Sequence, residues 1–167
     1  MTNATKKKLQ KKAVIIGLAV LVLLLISTFV IVHFNNASSL SEKPHYKTVS
    51  PYGRSVSDFG GWKRVSPPEE ESPIFSYRDA IESIAISVTQ QELPEDFSEN
   101  LDQKVADVAK AYGSTTVFDA KGTKVYIGTS AKGPQSVIFT KNDLLLFIMS
   151  EKTIEKESWV KYITSLE

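Results

Sequence analysis

The stretch Gly128-Thr-Ser-Ala-Lys-Gly133-Pro-Gln-Ser136 separates two glycines by four residues and sets Lys132 between them, which is how a phosphate-cradling loop begins. In that motif a lysine follows the second glycine to reach the phosphates, and a Ser or Thr then holds magnesium. Here those places are Pro134 and Gln135, so both positions that carry the chemistry lack it. A phosphate loop also leads from a strand into a helix, whereas VYIGTS before this stretch and QSVIFT after it both read as strands. The segment is expected to be a hairpin connection in which Gly133 supplies a positive φ and Pro134 starts the return strand. Ser130 and Lys132 have the residue types of a serine and lysine dyad, but alternate positions on an exposed turn do not bury a lysine enough to activate it.

The carboxylates offer little more. Glu69, Glu70 and Glu71 stand between prolines, where they repel one another and stay hydrated, so they read as a solvated spacer. Asp79 and Glu82 flank an expected turn and would make a general acid/base pair only if a pocket brought them together. Trp159, at helical spacing from Ile163, reads as core. Trp62 and Phe59, in an otherwise polar stretch, are the candidates for an interaction surface. The two histidines, His33 and His45, lie outside the part expected to fold, and there is no cysteine, so neither a metal site nor thiolate chemistry nor a disulfide is expected. No catalytic residue, cofactor or metal follows from these residues.

What would position such side chains is a chain in four parts. Residues 13–34 read AVIIGLAVLVLLLISTFVIVHF with no charged side chain, and as a helix they would span roughly 33 Å, the thickness of a bilayer core. A transmembrane helix is expected there, preceded by a basic tail over 1–12. Lys6, Lys7, Lys8, Lys11 and Lys12 place that tail in the cytoplasm and the remainder outside. A cleaved signal peptide is the rival reading, with Ala37 and Ser39 as small residues for cleavage, but its apolar core is normally about 7–15 residues. The formal charge of +1 hides the division, because five of the 20 basic residues precede the helix, leaving 15 against 19 acidic ones after it. A mildly acidic outer part has no electrostatic reason to hold nucleic acid, and the failed glycine motif argues against a nucleotide.

Residues 35–72 are rich in Ser, Pro, Gly and charge and read as a linker without regular elements. Tyr46, Tyr52, Phe59 and Trp62 are too many aromatics for full disorder, so part of this linker is expected to dock, with Trp62 as anchor. From 73 to 167 the pattern is that of an α+β domain with a mostly antiparallel sheet of about five to six strands and two amphipathic helices. The strands are expected at 74–77, 84–89, 115–118, 124–129, 136–140 and 144–149, with a hairpin through 79–83. Leu101, Val105, Val108, Ala109 and Tyr112 fall at helical spacing, capped by Ser98 or Asn100 and closed by Gly113; Trp159, Val160, Ile163 and Leu166 share a second helix face. LLLFIM, apolar at every position, is expected to be a central strand buried on both faces.

The order of a basic start, one membrane helix, GGWKRVSPP, PIFSYRD, ISVTQQELP, VYIGTSAKGPQSVIFTKNDLLLFI and a closing SWVKYITSL resembles a family of small, uncharacterised single-pass membrane-anchored proteins from genome-reduced bacteria. The last strands and helix are similar to extracytoplasmic domains of unknown function in bacterial membrane regulators. Neither resemblance implies an activity. The expectation is a non-catalytic binding or structural protein of the cell envelope, in the plasma membrane, with a protein partner or itself as ligand. The alternatives are an anchored hydrolase using carboxylates such as Asp79 or Glu82, and an accessory subunit of a membrane signalling or secretion complex.

Overall fold

The structure is a computed structural model that describes residues 42–114, 116–129 and 134–167. The expected basic tail with Lys6, Lys7, Lys8, Lys11 and Lys12, the membrane helix 13–34 and the Ser130–Gly133 turn lie outside the described residues. Among the described residues, no helix is long and apolar enough to cross a membrane.

Residues 42–167 form an α+β domain around one curled antiparallel sheet. Its strands are β1 (Lys63–Arg64), β2 (Phe75–Ile81), β3 (Ile84–Glu92), β4 (Thr116–Ala120), β5 (Thr123–Thr129), β6 (Gln135–Lys141) and β7 (Leu144–Ser150), in the order β1-β2-β3-β7-β6-β5-β4. Two helices, α1 (Leu101–Ala111) and α2 (Lys156–Ser165), complete it. β7 is the middle strand, paired to β3 on one side and β6 on the other. This placement follows from its composition: Leu144, Leu146 and Ile148 enter one core while Leu145 and Phe147 pack on the other, so both faces are covered, the second only in part at Phe147 and Met149.

The larger core lies under α2, which contributes Trp159, Tyr162 and Ile163, with Leu166 just beyond its end; all four are buried. The smaller core lies under α1, where Val105 and Ala109 meet Tyr126, Ile138 and Leu145, and Tyr112 packs on Phe147 with ring centres 4.7 Å apart. Gly113 ends α1 at φ 71°, and Asn100 stands at its start without a side-chain cap bond.

Three hairpins close through two-residue turns in which both residues have positive φ, namely Glu82–Ser83, Lys121–Gly122 and Asn142–Asp143. The twist of such turns matches that of the strands they join.

Three expectations need correction. The sheet has seven strands, and the additional one, β1, comes from the stretch read as irregular linker. That stretch also holds a short 3-10 helix, Val56–Phe59, which Ser55 and Asp58 cap reciprocally. β2 runs on to Ile81, so the turn of the first hairpin is only Glu82–Ser83 and Asp79 is a strand residue. The alternation Phe75, Tyr77, Asp79, Ile81 hid this, because a carboxylate occupies one of its four inward places.

Candidate functional site

Within 42–62 the chain is a strap bonded across the α2 side of the sheet. Gln90, fully buried on β3, does for the strap what a neighbouring strand would do. Its Oε1 accepts from Val49 N at 2.9 Å and its Nε2 donates to Val49 O at 2.5 Å. The Tyr46 hydroxyl donates to Gln90 O at 2.7 Å. Ser50 and Glu167 exchange backbone bonds, with N···O distances of 3.0 and 2.8 Å, and Tyr52 N donates to Ser165 O at 2.7 Å.

Further along, the strap brings Arg54 to Asp79. The Asp79 side chain is 1% exposed, and its Oδ1 accepts from Arg54 at 2.8 Å and from Ala80 N at 2.7 Å. Its Oδ2 accepts from the Tyr162 hydroxyl at 2.9 Å. Arg54 also lies 4.1 Å over the Phe59 ring, and Phe59 stacks on Tyr77. Trp62 stands edge-on to Tyr77, with ring centres 5.1 Å apart. Burial pushes the Tyr162 phenol far above its ordinary range, and the charge of Asp79 adds to this. Tyr77 is raised for the same first reason, while the neighbouring Tyr162 hydroxyl acts to lower it; the buried Tyr77 hydroxyl lies beside that of Tyr162 without a hydrogen bond of good geometry.

The candidates thus divide. Asp79 is the centre of a clasp joining strap, sheet and α2. Glu82 accepts from Ser158 Oγ at 2.6 Å, just over one turn of α2 before Tyr162. The two carboxylates hold different turns of one helix. Trp62 and Phe59 are half-buried against Tyr77 and belong to the fringe of the larger core. Trp159 is fully buried, and its Nε1 donates to Gln135 Oε1 at 2.9 Å, which also accepts from Ile154 N at 2.8 Å. Glu69 and Glu71 are exposed; in their loop the bonding runs from Arg64 to the backbone carbonyls of Pro67, Pro68 and Glu70. His45 is exposed beside Tyr46. Among the described residues no His, Asp and Glu side chains group to hold a metal.

Sequence reasoning missed Gln90, Gln135 and Arg54. The signal for the glutamines was weak, since each has an apolar inward neighbour on one side only, Val88 before Gln90 and Val137 after Gln135. A buried polar group must find partners there.

On the α1 side of the sheet, the helix packs over β5 and β6. Beyond it β2 and β3 present Ser76, Arg78, Ala80, Ala85, Ser87 and Thr89 on the same face. The hydroxyls of Ser76 and Ser87 are 3.0 Å apart, and Thr89 Oγ1 reaches Ser76 Oγ at 3.4 Å. The side chains here are small or carry hydroxyls, apart from Arg78; Ala80 and Ala85 are exposed, Ser87 and Thr89 half-buried and Ser76 fully buried.

Comparison with protein-family models, with curated proteins and with solved structures gave no match to this chain.

Proposed function

We propose that the chain is a single-pass protein of the plasma membrane whose outer domain binds another protein, or a second copy of itself, as a non-catalytic module of the cell envelope. The observation that carries this reading is the strap. After the 22-residue uncharged run, Tyr46, Val49, Arg54, Phe59 and Trp62 are bonded to or packed on the folded head, while the Tyr52 side chain stays exposed. A head held in this way is a rigid body suited to presenting a surface. Asp79 supports the non-catalytic part, because Arg54, Tyr162 and Ala80 N already occupy its oxygens. The β2 and β3 face around the exposed Ala80 and Ala85 is the surface assigned to the partner.

The absence of cysteine makes the topology directly testable. A single Ser72→Cys in the full chain, at an exposed position, should react with a membrane-impermeant maleimide on intact cells, and the protein should stay with membranes through alkaline carbonate. Labelling only after lysis would place the head on the other side. Release by carbonate would remove the anchor from the reading. A photo-crosslinking side chain in place of Ala85 should capture a protein or a second copy in those cells, and failure to capture either would overturn the binding role.

A further inference from the structure

Three lysines from three elements converge at one end of the sheet. Lys121 sits in the β4–β5 turn, Lys141 ends β6, and Lys161 lies on α2; with Thr123, Thr164 and Ser165 they line a concave site of about 320 Å³. Bringing ammonium groups together costs free energy unless something negative joins them. Among the described residues, none of the three forms an ion pair, although the residues after 34 are acidic overall. Lys141 is half-buried, and desolvation pushes its ammonium below the ordinary lysine range while the charge of Glu167 partly opposes that.

The end of α2 brings backbone carbonyls toward this site, which alone would disfavour an anion. Two of them are already engaged. Ile163 O accepts from Lys141 Nζ at 3.0 Å, and Ser165 O accepts from Tyr52 N. Lys121 and Lys161 remain as exposed donors, and Lys141 has N–H groups left beyond its one bond.

We propose that this site binds a phosphate group. Lysine presents point charges with no planar fork, which suits a tetrahedral oxyanion approached from several sides better than a carboxylate gripped in one plane. The volume is at the lower end of small-ligand sites, about 300–1,000 Å³, enough for a phosphate with part of its substituent. The source is either a free phosphate compound or the headgroup of an anionic lipid. Only the second rests on the membrane reading above.

The test uses the full chain, isotope-labelled, in discs of phosphatidylcholine. Adding inorganic phosphate should shift the amide signals of Lys121, Gly122 and Thr123 in a saturable way. In discs containing phosphatidylglycerol, the same shifts appearing without phosphate would identify the lipid as source. The double variant Lys121→Glu/Lys161→Glu should weaken either response at least about tenfold, and Lys121→Gln/Lys161→Gln should weaken it less. Both lysines are exposed, so signals from the core should not move. Shifts from neither phosphate nor phosphatidylglycerol, or an unchanged response in the Glu variant, would overturn the proposal. A chain that leaves the discs ends the membrane reading, while the phosphate titration in detergent still decides this one.

Discussion

At the scale of the residue, two buried phenols on neighbouring elements differ in what their hydroxyls do. Tyr162 donates to Asp79, whereas the Tyr77 hydroxyl, beside that of Tyr162, makes no hydrogen bond of good geometry. Removing a satisfied donor from a buried carboxylate costs about 1–3 kcal/mol, and removing an unsatisfied hydroxyl costs little or stabilises. Tyr162→Phe should therefore lower the urea midpoint clearly, and Tyr77→Phe should leave it unchanged or raise it. Equal losses in both would mean that Tyr77 is bonded after all. Gln90→Ala should be the more damaging change to the strap, by about 2–4 kcal/mol, because it leaves both the N–H and the C=O of Val49 without partners. The check is the same denaturation, with protease cleavage within 42–62 rising in parallel. Little of this was legible in the sequence. That Asp79 needed a partner could be read once it was known to face inward, but Arg54 and Tyr162 come from 25 positions before and 83 after it. Separations of that size leave no periodic trace.

At the scale of the element, the sequence was far more explicit. The apolar run Leu144 to Met149 announced a strand covered on both faces, and the spacing of Leu101, Val105, Val108 and Ala109 announced α1, because burial repeats along each with the period of its backbone. β1 was not legible. Two residues hold it, and what places it is pairing with Ser76 and Phe75. The turn Glu82–Ser83 was hidden as well, since its residues take φ values of 50° and 69° without a glycine to signal it. Ser83→Gly should relieve that strain and stabilise by about 0.5–1 kcal/mol, read as a rise of a few degrees in Tm. Gly128 is the opposite case. It does not take a positive φ; a Cβ there would lie 2.7 Å from Gly113 O and 2.9 Å from Ser114 Cα, so the crossing from α1 to β4 rests directly on β5. Gly128→Ala should cost about 1–3 kcal/mol, and a silent substitution would show that the crossing yields easily. The glycine first suspected of cradling a phosphate instead makes room for backbone.

At the scale of the molecule, burial raises the phenols of Tyr46, Tyr77, Tyr112 and Tyr162 above the ordinary range near 10. Each holds its proton more tightly folded than unfolded, so this contribution is intact below about pH 10 and is lost as pH climbs above it. Stability should fall steeply on that alkaline side, and phenolate absorbance from these four should rise together with loss of the fold. A rise that clearly precedes unfolding would contradict their burial. The strap has a mechanical meaning too. Tension applied at residue 42 would load its bonds in series, first Glu42 to Arg64, then Tyr46 and Val49 on Gln90, then the Ser50 and Glu167 pair, then Tyr52 on Ser165 and Arg54 on Asp79. The sheet hydrogen bonds come last in that sequence, so the strap would act as a fuse that lengthens the link under pull while the domain behind it stays folded.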